Sequence, residues 1–116
     1  MKQEAFTMSL LLDYYGGLLT EKQKNYFDLY YNQDFSLAEI AEQECISRQG
    51  VHDTISRTEA TLLQMEEAIG CITRAQALRK GLDEISSAAE VLRDHEDPAV
   101  RQSAERILSA LSLLEE

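Results

Sequence analysis

The chain has little of what interrupts a helix: among its 116 residues are one proline and five glycines. It also has no runs in which β-branched and polar residues alternate, the pattern that marks a half-buried strand. Long stretches consist of Leu, Ala, Glu, Gln and Arg, which favour helix. The sequence therefore predicts an all-α fold of five or six helices with no sheet.

A second absence is an apolar segment long enough to enter a membrane. The longest apolar run near the N-terminus covers residues 10–12, and Asp13 ends it. A membrane-spanning helix needs about 20 predominantly apolar residues, and a secretory signal needs about 7–15. We therefore expect no membrane association and a cytoplasmic location.

Cysteine and histidine are scarce, with two of each, and they are widely spaced. Cys45 and Cys71 form no disulfide framework, which favours a reducing compartment. The four residues also lack the close spacing of a zinc site. Because a glycine-rich phosphate loop and a nucleophile motif are missing too, the sequence predicts no metal, no cofactor and no catalytic residue. We do not expect an enzyme.

Positive charge is the last scarce property. The chain has 11 Lys and Arg against 21 Asp and Glu, a formal net charge of −10. Residues 1–70 hold five Lys and Arg against twelve Asp and Glu, and residues 71–116 hold six against nine. A diffuse negative field of this kind repels phosphate backbones and anionic membranes.

Residues 36–58 nevertheless carry the pattern of a helix-turn-helix, which is two short amphipathic helices joined by a tight turn. Ser36 with Glu39 predicts a capping box, and Ser47 predicts the N-cap of the second helix. The turn residue before Ile46 often needs a left-handed backbone, for which glycine is usual, and this chain has Cys45 there. The residues expected to pack the motif against the preceding helix are Ile40, Ala41, Ile46, Val51 and Ile55.

The outward-facing residues at the start of this second helix form the candidate binding site. Arg48 and Gln49 suit base edges in a major groove, and Arg57 can reach a phosphate. Against this, residues 36–58 hold two Arg and four acidic residues, whereas nucleic-acid affinity usually draws on several Lys or Arg contacts to phosphate. Two interpretations therefore stay open: a nucleic-acid reader, or a helix-turn-helix that only supports protein–protein contacts.

The first two helices are predicted from spacing and stop signals. Helix 1 is expected from about Lys2 to Tyr15, and Gly16-Gly17 should end it because glycine readily adopts positive φ. Thr20 with Gln23 predicts a capping box for helix 2. In helix 1, one stripe is formed by Phe6, Leu10 and Tyr14. In helix 2, a wide apolar face is formed by Tyr26, Phe27, Leu29, Tyr30 and Tyr31. We expect the tyrosines of both helices to pack in the core with their hydroxyls reaching the surface.

The second helix of the motif should continue far beyond it. Apolar residues recur at gaps of four and three from Val51 to Ile72, with Gly70 as the expected helix end. We expect the neighbouring carboxylates Glu66-Glu67 and Glu115-Glu116 to be solvated helix ends. The members of the stripe are Val51, Ile55, Thr58, Leu62, Met65, Ile69 and Ile72.

Residues 71–116 then continue in a new heptad register. Thr73 with Gln76 predicts another capping box, and Asp97-Pro98 predicts a restart of helix. We divide the chain into a helix-turn-helix domain, residues 1–70, and a helical hairpin tail, residues 71–116. The tail's apolar stripe can pack the helices of the hairpin against each other or pair two subunits. We therefore expect a homodimer. The residues expected to oligomerise are Leu78, Leu82, Ile85, Leu92, Ile107 and Leu111.

Residues 18–67 resemble region 4 of bacterial sigma-70-type sigma factors. The stretches LLLDYYGGLLTEKQ and SRQGVHDTISRTE are similar to the most distinctive parts of the YlxM family of small helix-turn-helix proteins. The resemblance is close over residues 4–70, whereas the tail resembles the family only in the general character of its sequence.

The resemblance implies a non-catalytic role in, or regulation of, co-translational protein targeting, because YlxM-like genes tend to lie beside those for the signal recognition particle GTPase and its receptor. It implies signal recognition particle components and DNA or RNA as partners. By the likeness to sigma region 4, Arg48, Gln49 and His52 fall at base-reading positions, and Ser36 and Ser47 fall at helix caps that contact phosphate.

Overall fold

A computed structural model describes residues 4–114, and over that range the protein is all-helical, which confirms the predicted fold class. The predicted helix start at Lys2 and the predicted solvated pair Glu115-Glu116 lie outside the described residues. The helices are α1 (Ala5–Tyr15), α2 (Glu21–Tyr31), α3 (Leu37–Glu44), α4 (Arg48–Ile69), α5 (Cys71–Leu92) and α6 (Pro98–Ser112), with a short 3₁₀ turn at Gly16–Leu18.

Contacts between residues divide the chain into two compact units, here called the head unit (residues 1–72) and the tail unit (residues 73–116). The division falls near the boundary between residues 70 and 71 that the sequence suggested. That the two parts are independently folding domains stays a prediction.

Most helix starts and stops lie where the sequence places them. Thr20 and Ser36 each form a complete capping box, with Gln23 and Glu39 respectively. Gly70 ends α4 in a left-handed conformation with φ of 72°. The Asp97 side chain accepts from the Ala99 amide at 2.9 Å, with Pro98 at the first helical position of α6.

The head unit is built around α4, which packs against α1, α2 and α3. Its most completely buried side chains come from all four helices. One of them, Thr58, carries a hydroxyl, which donates a hydrogen bond to the Thr54 carbonyl at 2.8 Å. The α4 stripe is buried from Val51 to Leu62, but Ile69 is exposed and Ile72 belongs to α5. The fully buried side chains are Phe27, Leu11, Ile40, Leu62, Val51 and Thr58.

The core packing predicted for Tyr14 is wrong, because the stripe that it shares with Phe6 and Leu10 does not face the core. Phe6 is 71% exposed and Tyr14 is 48% exposed, with Leu10 half-buried between them. Because α1 is apolar on nearly every side, a second stripe with equally good helical spacing exists, and this one faces the core. The buried residues of α1 are Met8, Leu11, Leu12 and Tyr15.

Gly16 ends α1 for a different reason from the predicted one. Its φ is −56°, which is right-handed. The residue is buried, and a Cβ at this position would lie 3.3 Å from the Leu12 Cδ1 atom. A side chain here would therefore crowd Leu12, which must shift by a few tenths of an ångström to admit it. At Gly16 the chain tightens from α-helix into the 3₁₀ turn.

The predictions for Glu66 and Thr73 are also wrong. The Glu66 carboxylate is not a solvated helix end: it accepts from the Tyr15 hydroxyl at 2.6 Å and from the Ile72 amide at 3.0 Å. The Tyr15 hydroxyl in turn accepts from the Cys71 amide at 3.1 Å. These side chains satisfy the first amides of α5, so the helix begins two residues before Thr73, which lies inside its first turn.

The described part of the tail unit buries little. Within residues 73–114 only Ala89 and Ala104 are buried. Of the residues predicted to oligomerise, Leu82 and Leu111 are half-buried, whereas the other four are exposed. Arg93 forms ion pairs with Glu90 and with Glu105 of α6, the latter at 3.0 Å. None of the helices in the described range is long and apolar enough to cross a membrane.

Candidate nucleic-acid interface

Helix caps fix the two ends of the motif that carry the candidate site. The Ser36 hydroxyl accepts from the Glu39 amide at 3.0 Å, and the Ser36 amide donates to the Glu39 carboxylate at 2.9 Å. This bonding lowers the pKa of Glu39, so the box stays intact at neutral pH. The Ser47 hydroxyl accepts from the Gly50 amide at 3.0 Å. A side chain at Gly50 would crowd that hydroxyl, with a Cβ only 3.2 Å away.

The turn between α3 and α4 is left-handed at Cys45, as is usual at this position of a helix-turn-helix. Cys45 has φ of 58° and ψ of 39°, a conformation that costs non-glycine residues free energy. The following Ile46 amide donates to the Ala41 carbonyl at 3.1 Å. The Cys45 side chain is exposed. The turn therefore keeps the helix-turn-helix geometry without the usual glycine.

All six predicted site residues are exposed, but the structure brings only part of them together. A shallow groove runs between the starts of α3 and α4, and we call it the Leu37 groove. Three adjoining depressions share Leu37 as their floor. The residues that line the groove include Tyr30, Ser36, Leu37, Arg48, Gln49 and His52, together with the acids Asp34 and Glu59.

Arg57 lies outside the groove. It follows Arg48 by nine residues, which at about 3.6 residues per turn places it half-way around α4. It is close enough to Asp53 to contribute to lowering the pKa of that carboxyl. The two arginines of the motif therefore flank the outward face of α4 from opposite sides. A single ligand must span the width of the helix to reach both.

Asp53 occupies the middle of that outward face, and its contacts were not predicted. Its Oδ1 accepts from the Gln49 amide nitrogen at 2.8 Å and lies 3.5 Å from His52 Nδ1. These two bonds, with the charges of His52 and Arg57, lower the pKa of Asp53, so the carboxylate stays ionised at neutral pH. Gln49 and Asp53 are four residues apart, a spacing at which Gln and Asp side chains meet on a helix, so the sequence did contain this signal.

Three other carboxylates near the motif are bonded to the protein. Glu44 accepts from the Asn25 side chain at 3.1 Å, and Glu59 accepts from the Tyr31 hydroxyl. Glu39 is held in the capping box described above. Asp53 differs from these three because its partners, Gln49 and His52, are themselves candidate site residues.

Comparison with known proteins agrees with this geometry. Residues 2–101 match the family UPF0122, described as "Putative helix-turn-helix protein, YlxM / p13 like". The chain belongs to this family. The match includes the whole helix-turn-helix and all of α5, so the family pattern extends beyond the groove into the tail unit.

Individual UPF0122 proteins are similar over two thirds or more of this chain. One from Thermoanaerobacter sp. (strain X514) is 44% identical over 108 residues, which is 92% of each chain. One from Desulforamulus reducens is 40% identical over 109 residues, covering 94% of this chain and 93% of the relative. One from Exiguobacterium sibiricum is 49% identical over 78 residues, covering 67% and 74%.

The described residues show no arrangement for metal chemistry. Over residues 4–114, no group of three or more His, Cys, Asp and Glu side chains lies close enough to hold a metal ion. His52 contacts a single carboxylate, and its ring is about half exposed. The Leu37 groove therefore offers hydrogen-bonding and cationic groups for recognition.

Proposed function

We propose that this UPF0122 protein is a non-enzymatic regulator that binds nucleic acid through the Leu37 groove. One observation carries the proposal: Arg48, Gln49 and His52 are exposed side by side at the capped start of α4. The buried face of the same helix is held by three other helices. Such a capped, anchored helix start is the part of a helix-turn-helix that enters a major groove.

Two roles within the groove follow from its chemistry. Arg48 and Gln49 have donors suited to base edges, and Arg48 can alternatively pair with a phosphate. Ser36 and Ser47 stand at the two helix starts, where the first backbone amides and the helix dipole favour a phosphate. The likeness to sigma region 4 gives the same assignment of these residues.

The cellular setting of the proposal rests on the resemblance to YlxM proteins. We place the protein in the cytoplasm, in or beside the signal recognition particle pathway, with a particle component as its partner. We also propose that it is a homodimer joined through the exposed apolar stripe of the tail unit. If so, light scattering should give twice the chain mass for the wild type and a monomer for the double variant Leu78→Ser, Ile85→Ser.

A second candidate function is favoured by the charge of the same surface. Asp53 holds the Gln49 amide and keeps a negative charge beside His52. Residues 36–58 offer two arginines for phosphate contacts, far fewer than a strong binder uses. In this reading the helix-turn-helix is a scaffold, and the protein is an adaptor that binds other proteins only.

Salt and two arginine variants separate the candidates. If the chain binds a labelled duplex DNA or a stem-loop RNA through about two phosphates, the slope of log affinity against log salt should be near −2. Arg48→Ala should then weaken binding at least tenfold, and Arg57→Ala should weaken it less and reduce the slope by about 1. If neither variant weakens binding, or if no binding is found at 50 mM salt, the result would support the adaptor. Pull-down with and without nuclease identifies which partners depend on nucleic acid.

A further inference from the structure

The helix α1 has a second apolar face that nothing in the described chain covers. Phe6 is 71% exposed and Tyr14 is 48% exposed, and half-buried Leu10 lies between them at helical spacing. In the turn that follows, Leu18 is 66% exposed. We call the surface formed by Phe6, Leu10 and Tyr14 the outer face of α1, and Leu18 follows it in the chain.

This face differs from the scattered apolar residues found on any protein surface. The opposite side of α1 already fills the core with Met8, Leu11, Leu12 and Tyr15. A helix that is apolar all round is normally buried on both sides, and contiguous exposed apolar surface marks an interaction site. The Leu37 groove and the proposed nucleic-acid contacts use none of these residues.

The shape of the face fits a helix. Phe6 and Tyr14 are eight residues apart, which corresponds to about 12 Å along the helix axis. Their side chains, with Leu10, form one ridge of residues four apart, which packs into the groove of a second helix. A partner helix of three turns with apolar residues at i, i+4 and i+7 would cover this ridge.

The charge around the face decides which partner is favoured. Residues 3–21 contain Glu4, Asp13 and Glu21 and no Lys or Arg. Lys2 and Lys22 flank this range in the sequence, and the Lys24 stem passes close to Gly16, beyond the end of α1. A second copy of this chain would bring the same acids, and a net charge of −10, against them. A helix with Lys or Arg beside its apolar stripe would instead be attracted.

We propose that the outer face of α1 is a docking surface for a cationic amphipathic helix of another protein. The apolar stripe of that helix packs on Phe6, Leu10 and Tyr14, and its cations lie beside Asp13. The proposal is independent of nucleic-acid binding, since it uses a different surface.

The test uses the full chain, labelled with nitrogen-15, and a defined probe. The probe is an 18-residue peptide of Leu and Lys with the leucines on one helical face, and its control has the same composition in scrambled order. We expect the amphipathic peptide to shift amide signals in residues 5–19 and to bind at least tenfold tighter than the scrambled peptide. Equal binding of the two would mean that charge alone attracts them, which would overturn the proposal.

Exposed leucines outside the proposed dimer stripe supply matched control variants. Tyr14 and Leu63 are 48% and 44% exposed, and Leu18 and Leu114 are 66% and 65% exposed. Tyr14→Ser with Leu18→Ser should raise the dissociation constant at least tenfold, whereas Leu63→Ser with Leu114→Ser should change it less than twofold. The opposite result would place the peptide away from α1.

Two further readouts complete the test. Asp13→Asn should weaken binding about threefold at low salt and have little effect at 0.5 M salt, where charges are screened. Helix content and thermal melting check that all variants keep the fold. If the α1 signals shift with protein concentration before peptide is added, the face binds a second copy and the proposed partner is wrong.

Discussion

In the head unit the apolar stripe of α4 is covered from Val51 to Leu62 by α1, α2 and α3, whereas α5 in the tail unit leaves Leu78 and Ile85 exposed. Both stripes have the same spacing of three and four residues. The difference is in what packs on them: the head unit buries Phe27, Leu11 and Ile40 around its stripe, whereas the described tail buries only two alanines.

The comparison teaches that spacing predicts an apolar face but does not reveal what covers it. The side chains of Ala89 and Ala104 are too small to build a core, although they are 2% and 0% exposed. Most of the hydrophobic free energy of the described chain therefore lies in the head unit, since this free energy follows buried apolar area. The tail retains apolar surface that is available for association.

The largest expected effect is a core truncation in the head unit compared with a stripe truncation in the tail. Phe27→Ala should lower the free energy of unfolding by about 3–5 kcal/mol, because Phe27 is fully buried and leaves a cavity. Ile85→Ala, at 49% exposure, should cost less than about 1 kcal/mol in a monomer. Urea unfolding followed by circular dichroism measures both. Equal losses would show that the Ile85 stripe is covered in solution.

A second comparison sets a carboxylate cap inside the head unit against an exposed cap in the tail. Glu66→Ala should cost about 1–3 kcal/mol, because it leaves the Ile72 amide and the Tyr15 hydroxyl without their acceptor in a partly buried site. Asp97→Ala removes an exposed N-cap and should cost about 1 kcal/mol. Urea titrations of the two variants at pH 7 give the difference. A smaller loss for Glu66→Ala would mean that water replaces its bonds.

How far the sequence predicts the fold depends on whether the signal is local. Helix ends are marked by local signals: an N-cap side chain accepts from an amide two or three residues away, and a C-cap glycine adopts a left-handed backbone. The residues at the predicted helix ends are Thr20, Ser36, Ser47 and Asp97, which are N-caps, and Gly70, which is a C-cap. The left-handed turn that the motif usually needs is also a local feature, and Cys45 adopts it in place of the usual glycine.

The wrong predictions concern contacts between distant parts of the chain. Residues 15 and 66 are 51 apart, so nothing near Glu66 in sequence shows that it accepts from the Tyr15 hydroxyl. Likewise, two stripes of α1 have good helical spacing, and only packing against α4 decides which one is buried. For the candidate site, the exposure of Arg48, Gln49 and His52 followed from helical position. The Leu37 groove depends on how α3 crosses α4, which spacing does not specify.

High pH should destabilise the head unit alone, because all five tyrosines lie there. Burial, and then the bond to Glu66, raise the pKa of Tyr15 to about 12, and burial raises that of Tyr26. The folded state therefore holds its phenol protons while the unfolded chain releases them near pH 10. This stability is complete below pH 10 and is lost as pH rises from 10 to about 12.

Melting temperature against pH tests this prediction. Tyr15→Phe should flatten the decline between pH 10 and 12, whereas Tyr14→Phe, at an exposed position, should leave it unchanged. Helical signal from the tail should persist at pH values where the head unit has begun to melt. Simultaneous loss of both signals would show that the two units unfold together.

The smallest expected effect concerns charge, where the head unit is again the more acidic part. Asp53→Asn removes one negative charge from the centre of the outward face of α4 and weakens its hold on Gln49 and His52. Asp83→Asn removes the same charge from an exposed position on α5.

If nucleic acid binds at the Leu37 groove, Asp53→Asn should tighten binding to a duplex about three- to fivefold at 100 mM salt, and Asp83→Asn should change it less than 1.5-fold. The reason is that Asp53 bonds directly to Gln49 and His52 of the groove, whereas Asp83→Asn changes only the net charge of the chain. Fluorescence anisotropy at several salt concentrations measures both variants. Equal tightening would mean that the diffuse charge of the whole chain, and not Asp53, limits binding.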